Sequence, residues 1–463
     1  MMRTPFPLAG ARRVMRFCLT TLLALPLLAQ PVMAQSLLRD AETEALFDDM
    51  SAPLIRAAGL SPRNVKVVLL QDKEINAFVA GGQIVYIHSG LIAAASNINE
   101  VQGVVAHELG HIAGGHVIAS EAGIKQATGI TILSLLLGAA AIAAGAGDAG
   151  AGIMAAGQQA ALGKFLAFTR IQEASADEAG AKYLAIAGIS GRGSLSFFKK
   201  LQNLEFRYSV PQDDSFGRTH PLTGERIAIL EDRYHADPAW SSKTDSALEA
   251  RFQRVKAKLK GYVSEPQQTL IDYPATDLSV PGRYARAYAW HKSAYPDKAL
   301  AETAALLKIA PHDPYFLELE GQILLESGRP TEALPLLREA VTVTNNQPLI
   351  AGTFGHALIA TEDESNFAEA RKVLKAAVAK DNDNPFAWYQ LGVVYAHDGD
   401  IGRAALATAE RYNLEGNPRL ALPNARQAME AITPNTPDWI RAQDIAMVSE
   451  TAMDDGKKKK KRK

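Results

Sequence analysis

A single cysteine, Cys18, is the only thiol in this 463-residue chain. It lies in an N-terminal stretch that reads as a secretory signal. Arg3, Arg12, Arg13 and Arg16 form a positive region, Phe17–Leu28 an apolar one, and Val32-Met33-Ala34 a small-residue cleavage site. Cleavage after Ala34 is therefore expected, and the signal occupies residues 1–34. Without Cys18 the remaining chain cannot form a disulfide, so burial must stabilise it. The residues before Cys18, Met15-Arg16-Phe17, are not the small ones of a lipobox. The apolar stretch is also short for an uncleaved bilayer anchor.

The chain also lacks an excess of either charge: 49 Lys and Arg stand against 50 Asp and Glu, a formal net charge of −1. That argues against a dedicated nucleic-acid binder, and no nucleic-acid partner is expected. The exception is the run Lys457–Lys463, read as a solvated tail or as a weak tether to anionic lipid. Beyond the signal, Gln126–Gly147 is an apolar segment without a charged residue.

Against these absences stands His107-Glu108-Leu109-Gly110-His111. Ile98, Val101, Val104 and Val105 before it are apolar at helical spacing. On a helix, positions i and i+4 lie on one face, about 40° apart. His107 and His111 can thus hold one zinc ion, with Glu108 beside it as general base. A catalytic zinc needs a third protein ligand. Glu173-Ala174-Ser175-Ala176-Asp177 supplies a candidate in Ala-rich, helix-favouring sequence. Glu173 can ligate the metal. Asp177, one turn on, can accept from the second N–H of a ligand histidine and fix its tautomer. His116, five residues after His111, is off the ligand face and reads as structural.

HExxH followed by ExxxD resembles the zinc-peptidase family that includes the HtpX-like membrane proteases and the CAAX prenyl proteases. Asn76–Gly82 with Ile84–Ile87, and Thr219-His220-Pro221 with Arg226-Ile227, are similar to two further family motifs. The resemblance covers about residues 40–235. Ser175 departs from it, since many relatives carry an acid there. The resemblance implies one catalytic zinc per chain. It also implies a substrate held against an edge strand by the backbone of Asn76 and Ala77. His220 or Arg226 is then a second donor to the oxyanion. Alternatively His220, after the polar loop Asp213–Gly217, occupies the fourth position on zinc and closes the site.

Val65–Leu70 and Gly82–His88 are rich in β-branched residues and read as strands, with Gly81-Gly82 at the turn. The segment Gln126–Gly147 could span a bilayer by length. Yet His111 before it and Glu173 after it must reach one metal, and the return stretch Ala149–Gly163 is short for a second crossing. A helical hairpin or flap that touches a membrane surface or covers the cleft is favoured. Two-helix insertion is the alternative.

Pro266, Pro274 and Pro281 mark a linker over residues 264–282. Beyond it Pro314, Pro348, Pro385 and Pro418 recur at 34, 37 and 33 residues. Gly321, Gly355 and Gly392 each follow their proline by seven. With Trp388–Tyr395 and Ala404-Ala405, this is similar to the tetratricopeptide pattern, a binding module rather than a catalytic one. Residues 283–432 are assigned to repeats, with Leu420–Ile432 as the cap, and 433–463 to a C-terminal segment. The expected fold is an α+β, gluzincin-like zinc metallopeptidase domain over 35–263, followed by an all-α tetratricopeptide solenoid.

Together the two parts are similar to the periplasmic proteases of Gram-negative bacteria that enhance β-barrel assembly. That resemblance implies unfolded or stalled outer-membrane proteins as substrates and the barrel-assembly machinery as partner of the repeats. The competing readings are a chaperone or adaptor with an idle or plugged zinc site, and an integral membrane protease.

Overall fold

The computed structural model describes residues 36–143, 147–208, 220 and 224–461. The expected signal with Cys18, the loop Asp213–Gly217, Thr219 and Pro221 lie outside the described residues, as do the side chains of the basic tail.

Strand β1 spans Ser36–Leu38 and helix α1 spans Ala41–Ala57. Three further strands follow, β2 (Lys66–Gln71), β3 (Ala77–Ala80) and β4 (Ile84–His88). β4 lies between the other two, parallel to β2 and antiparallel to β3. Gly81 and Gly82 turn the β3–β4 hairpin at φ +60° and +94°, values that only glycine adopts freely. β3 is left at the edge of the sheet. Val67, Leu69, Val85 and Ile87 alternate inward to meet Leu46, Phe47 and Met50 of α1.

After the short helix α2 (Ser89–Ala94) comes α3 (Ile98–Ala113), which carries the HExxH motif. Two side-chain caps start it. Asn97 Oδ1 accepts from the Glu100 amide at 3.0 Å, and Glu100 Oε2 accepts from the Ser96 amide at 2.7 Å. Residues 98–111 of α3 are all buried, so this helix is the axis of the domain. The apolar residues of its one stripe were legible in sequence; the burial of the opposite, polar side was not. It is covered by α5 (Gly147–Ile186), α6 (Arg192–Tyr208) and, at its start, α8 (Ser246–Val263).

Glycines set how close these helices come. A Cβ on Gly110 would stand 2.7 Å from the Ala176 carbonyl oxygen, and one on Gly103 would stand 2.5 Å from Ser194 Cα. Ala176 lies between Glu173 and Asp177, so the Gly110 contact sets the depth at which both acids meet α3. Gly110→Ala should cost about 1–3 kcal/mol through overpacking and reduce bound metal more than Gly163→Ala, which faces open space. Metal content and melting temperature check this.

Helix α4 (His116–Ala143) runs back along α5 as a hairpin. Gly157 allows it, since a Cβ there would fall 1.9 Å from Ser134 Cβ. No helix among the described residues is long and apolar enough to cross a membrane. Leu133, Leu136 and Leu137 of α4 are nonetheless more than half exposed.

Helix α7 (Gly224–His235) and α8 complete the peptidase half. The stretch 264–282, read as a linker, contains helix α9 (Pro266–Asp272) and the start of α10 (Val280–Lys292). Pro266 and Pro281 sit in first helical turns, where proline loses no hydrogen bond, rather than in a flexible connection. Gly261 of α8 packs on Ala285 of α10. Lys258 pairs with Asp40 and Glu42, Arg254 with Glu42 and Asp313, and Tyr284 donates to Glu42 at 2.8 Å. The first repeat helices are thereby fastened to α1 and α8 by partly buried charge.

The repeats follow as consecutive packed helices: α11 (Pro296–Ile309), α12 (Pro314–Glu326), α13 (Pro330–Val343), α14 (Pro348–Ala360), α15 (Glu364–Lys380), α16 (Pro385–His397), α17 (Ile401–Leu414) and α18 (Pro418–Ala431). Each recurring proline is the first residue of its helix. Each recurring glycine is where the next helix presses in: a Cβ would meet Leu337 at 2.6 Å from Gly321, Leu374 at 2.5 Å from Gly355 and Ala407 at 3.4 Å from Gly392. The tetratricopeptide expectation holds on these grounds. A further helix, α19 (Pro437–Lys461), packs Ala442, Ile445 and Ala446 against α18. It lies where the sequence analysis placed only a C-terminal segment, because its short apolar run is diluted by charge.

Candidate metal centre

One face of α3 presents His107 and His111, and α5 presents Glu173 and Asp177 one turn apart. His220 comes from beyond α6. His107, His111, Glu173 and His220 each offer a ligand atom within 4.8 Å of the others, and all four are buried. His107 Nε2 lies 3.1 Å from His111 Nε2 and 3.2 Å from His220 Nδ1. Glu173 oxygens lie 3.1 Å from His220 Nδ1 and 3.4 Å from both His107 Nε2 and His111 Nε2. A tetrahedron with bonds of ~2 Å has edges of about 3.3 Å. The donors therefore already have the spacing and the nitrogen–oxygen chemistry that a divalent metal requires.

Glu108 is fully buried, and neither carboxylate oxygen has a hydrogen-bond partner among the described residues. Such a group is rare in a native interior and marks a site completed by something besides protein. His220 Nε2 is 3.5 Å from Glu108 Oε1. Glu108 thus faces the donor cluster without belonging to it, the place a proton carrier needs.

The surrounding charges orient the donors. Asp177 Oδ1 stands 2.9 Å from His107 Nδ1, as the i, i+4 spacing from Glu173 predicts for a tautomer-fixing group. His116 Nδ1 is 3.0 Å from His111 Nδ1, so it braces that ring from outside and is not among the converging donors. Phe198 of α6 meets the His107 ring edge to face. Burial opposes charge on His107, but Asp177 and Glu173 push its pKa up to about 10. Burial lowers the pKa of His111, with the neighbouring His107 adding to the effect. Burial would raise the Glu173 and Asp177 carboxyls, yet the histidines and Arg226 hold both below their ordinary range. A metal entering here must displace the His107 proton, so its uptake releases a proton and weakens as pH falls.

Arg226 meets the two acids of the site. From α7 its Nε and Nη2 donate to Asp177 at 2.7 and 2.9 Å, and Nη1 is 3.1 Å from Glu173. The guanidinium holds both acids, a contact that no local spacing implies, because Arg226 and Asp177 are 49 residues apart. Asn76 and Ala77 open the edge strand; both are buried, β3 packs against α3, and the Asn76 carbonyl accepts from the His88 amide at 3.0 Å.

Residues 38–234 match the model of peptidase family M48. The chain carries an M48 peptidase domain. Its activity class is that of a metalloendopeptidase, and the family implies a metal at this cluster. The match ends at Tyr234, within α7, ahead of the repeats. The Beta-barrel assembly-enhancing protease of Yersinia pestis is 25% identical over 359 residues, 75% of this chain and 71% of that protein. Metalloprotease LoiP of Escherichia coli is 34% identical over 180 residues, 38% of this chain and 64% of LoiP. Among solved structures, the TPR protein YrrB is 21% identical and covers 38% of this chain at a TM-score of 0.31. That likeness is too slight to add to what the helix pairs already establish.

Proposed function

We propose that this chain is a zinc endopeptidase of the periplasm that degrades unfolded or stalled outer-membrane barrel proteins, with the repeats docking on the assembly machinery. The observation that carries this reading is the length of the match to the Beta-barrel assembly-enhancing protease, 359 residues, which runs beyond the M48 domain into the repeats. His107, His111 and Glu173 are assigned as metal ligands, Glu108 as general base and acid, and Asp177 and Arg226 as positioning residues. When bound, zinc supplies Lewis acidity toward a water and the scissile carbonyl. Glu108 accepts the proton of the attacking water and returns one to the leaving amine. Ala77, at the edge strand, aligns the substrate by backbone pairing, and Asn76, whose carbonyl is held by the His88 amide, fixes where that strand begins.

The purified chain, incubated with zinc and an unfolded barrel protein, should cleave it. Failure to cleave when the assembly machinery is also supplied would favour the chaperone or adaptor reading.

His220 gives that second reading a specific basis, because it stands within the donor cluster and beside Glu108. We assign it as a removable fourth ligand that excludes water at rest. With an open state populated at ~10%, His220→Ala should speed cleavage about tenfold. A fall in rate would instead make His220 an oxyanion donor. No described helix favours the integral membrane reading.

A further inference from the structure

Outside the M48 cluster, the carboxyl ends of the parallel strands β2 and β4 bring together Asp72, Glu74 and His88. Each offers a potential ligand atom, all within 4.8 Å of one another. His88 is the last residue of β4 and is only 1% exposed, yet neither ring nitrogen has a hydrogen-bond partner among the described residues. Its Nδ1 points toward Asp72 Oδ2 at 3.7 Å, too long for a hydrogen bond. An imidazole buried this deeply without a partner is costly, and packing alone needs no ring nitrogen.

The acids that face it are held in place. The Glu74 amide donates to Asp72 Oδ1 at 2.9 Å, leaving Oδ2 toward His88. Ser89 Oγ and the Gly90 amide donate to the Asp72 carbonyl at 2.7 and 2.8 Å. A Cβ on Gly90 would lie 2.2 Å from the Lys73 carbonyl oxygen, so the loop 72–75 is seated where only glycine allows it.

We propose that Asp72, Glu74 and His88 form a second metal site. One imidazole nitrogen and two carboxylates suit a divalent first-row transition ion, and the two acids offset its charge. The site clamps the loop that leads into β3. Asn76, to which the His88 amide is already bonded, follows this loop directly. A metal here therefore steadies the start of the edge strand without touching the catalytic cluster. The proposal is independent of what the peptidase cleaves.

The test is a metal count on the full chain. After chelation, equilibrium dialysis against Zn2+ alone and elemental analysis should give two ions per chain. Asp72→Asn, Glu74→Gln and His88→Gln should each give one. In a His107→Asn/His111→Asn background one ion should remain, and Zn2+ should raise the melting temperature. Adding Glu74→Gln, at a partly exposed position, should abolish both the ion and the thermal shift while circular dichroism stays unchanged. One ion in the parent chain, or a count indifferent to Glu74→Gln, overturns the site.

Discussion

Glu108→Gln should lower cleavage by about 10²–10⁴-fold, the range expected for loss of a positioned general base. Gln has nearly the same shape and can fill the same buried space, so folding should survive. Bound metal should also survive, because Glu108 is outside the group of four converging donors. The carboxyl group is buried and has no hydrogen bond to the described residues, so Gln forfeits no structural contact there. Parallel measurement of metal content and peptide-bond cleavage separates the possibilities. A variant that keeps both metal and rate would remove Glu108 from the chemistry. A variant that loses metal would make it a ligand.

Arg226→Ala should destabilise the peptidase domain by about 3–5 kcal/mol, the usual cost of removing one partner from a buried charge network. The residue is 8% exposed and satisfies two acids at once. Without it Asp177 and Glu173 lose the guanidinium that bridges them, and among the described residues His107 alone remains in contact with both. A fall in melting temperature of roughly 10 °C follows for a domain of this size. Arg226→Lys should recover only part of the loss, since an ammonium cannot donate side by side to Asp177 while reaching Glu173. If the melting temperature is unchanged and only the rate falls, Arg226 acts on the substrate and the positioning role is wrong.

Both predictions rest on residues visible in the sequence, but to different degrees. Glu108 could be placed from local spacing alone: two histidines at i and i+4 fix a metal-facing side of a helix, and the residue between them must flank it. Glu173 and Asp177 followed from the same periodicity on a second helix. The acids that Arg226 meets are chosen by how α7 crosses α5, and no short-range pattern encodes a crossing. The hairpin of α4 and α5 was legible because two segments that must return to one metal cannot end on opposite sides of a bilayer. The repeats were legible because proline at the first helical turn and glycine at the closest approach recur in register.

The sequence by itself thus determined the helix that carries HExxH, the pairing of candidate acids on a second helix and the order of the two folds. The first two are matters of residues within one or two turns, where helix geometry sets which side chains share a face, and the third is read directly along the chain. Only the tertiary structure decided that α3 is buried on every side, that Gly110 sets how deeply Glu173 reaches, and that His220 stands among the donors. It also decided that the proline-rich stretch joins the two parts through helices and buried charge. These depend on which surfaces pack together, and packing is selected by the whole set of interhelical contacts rather than by any local run of residues.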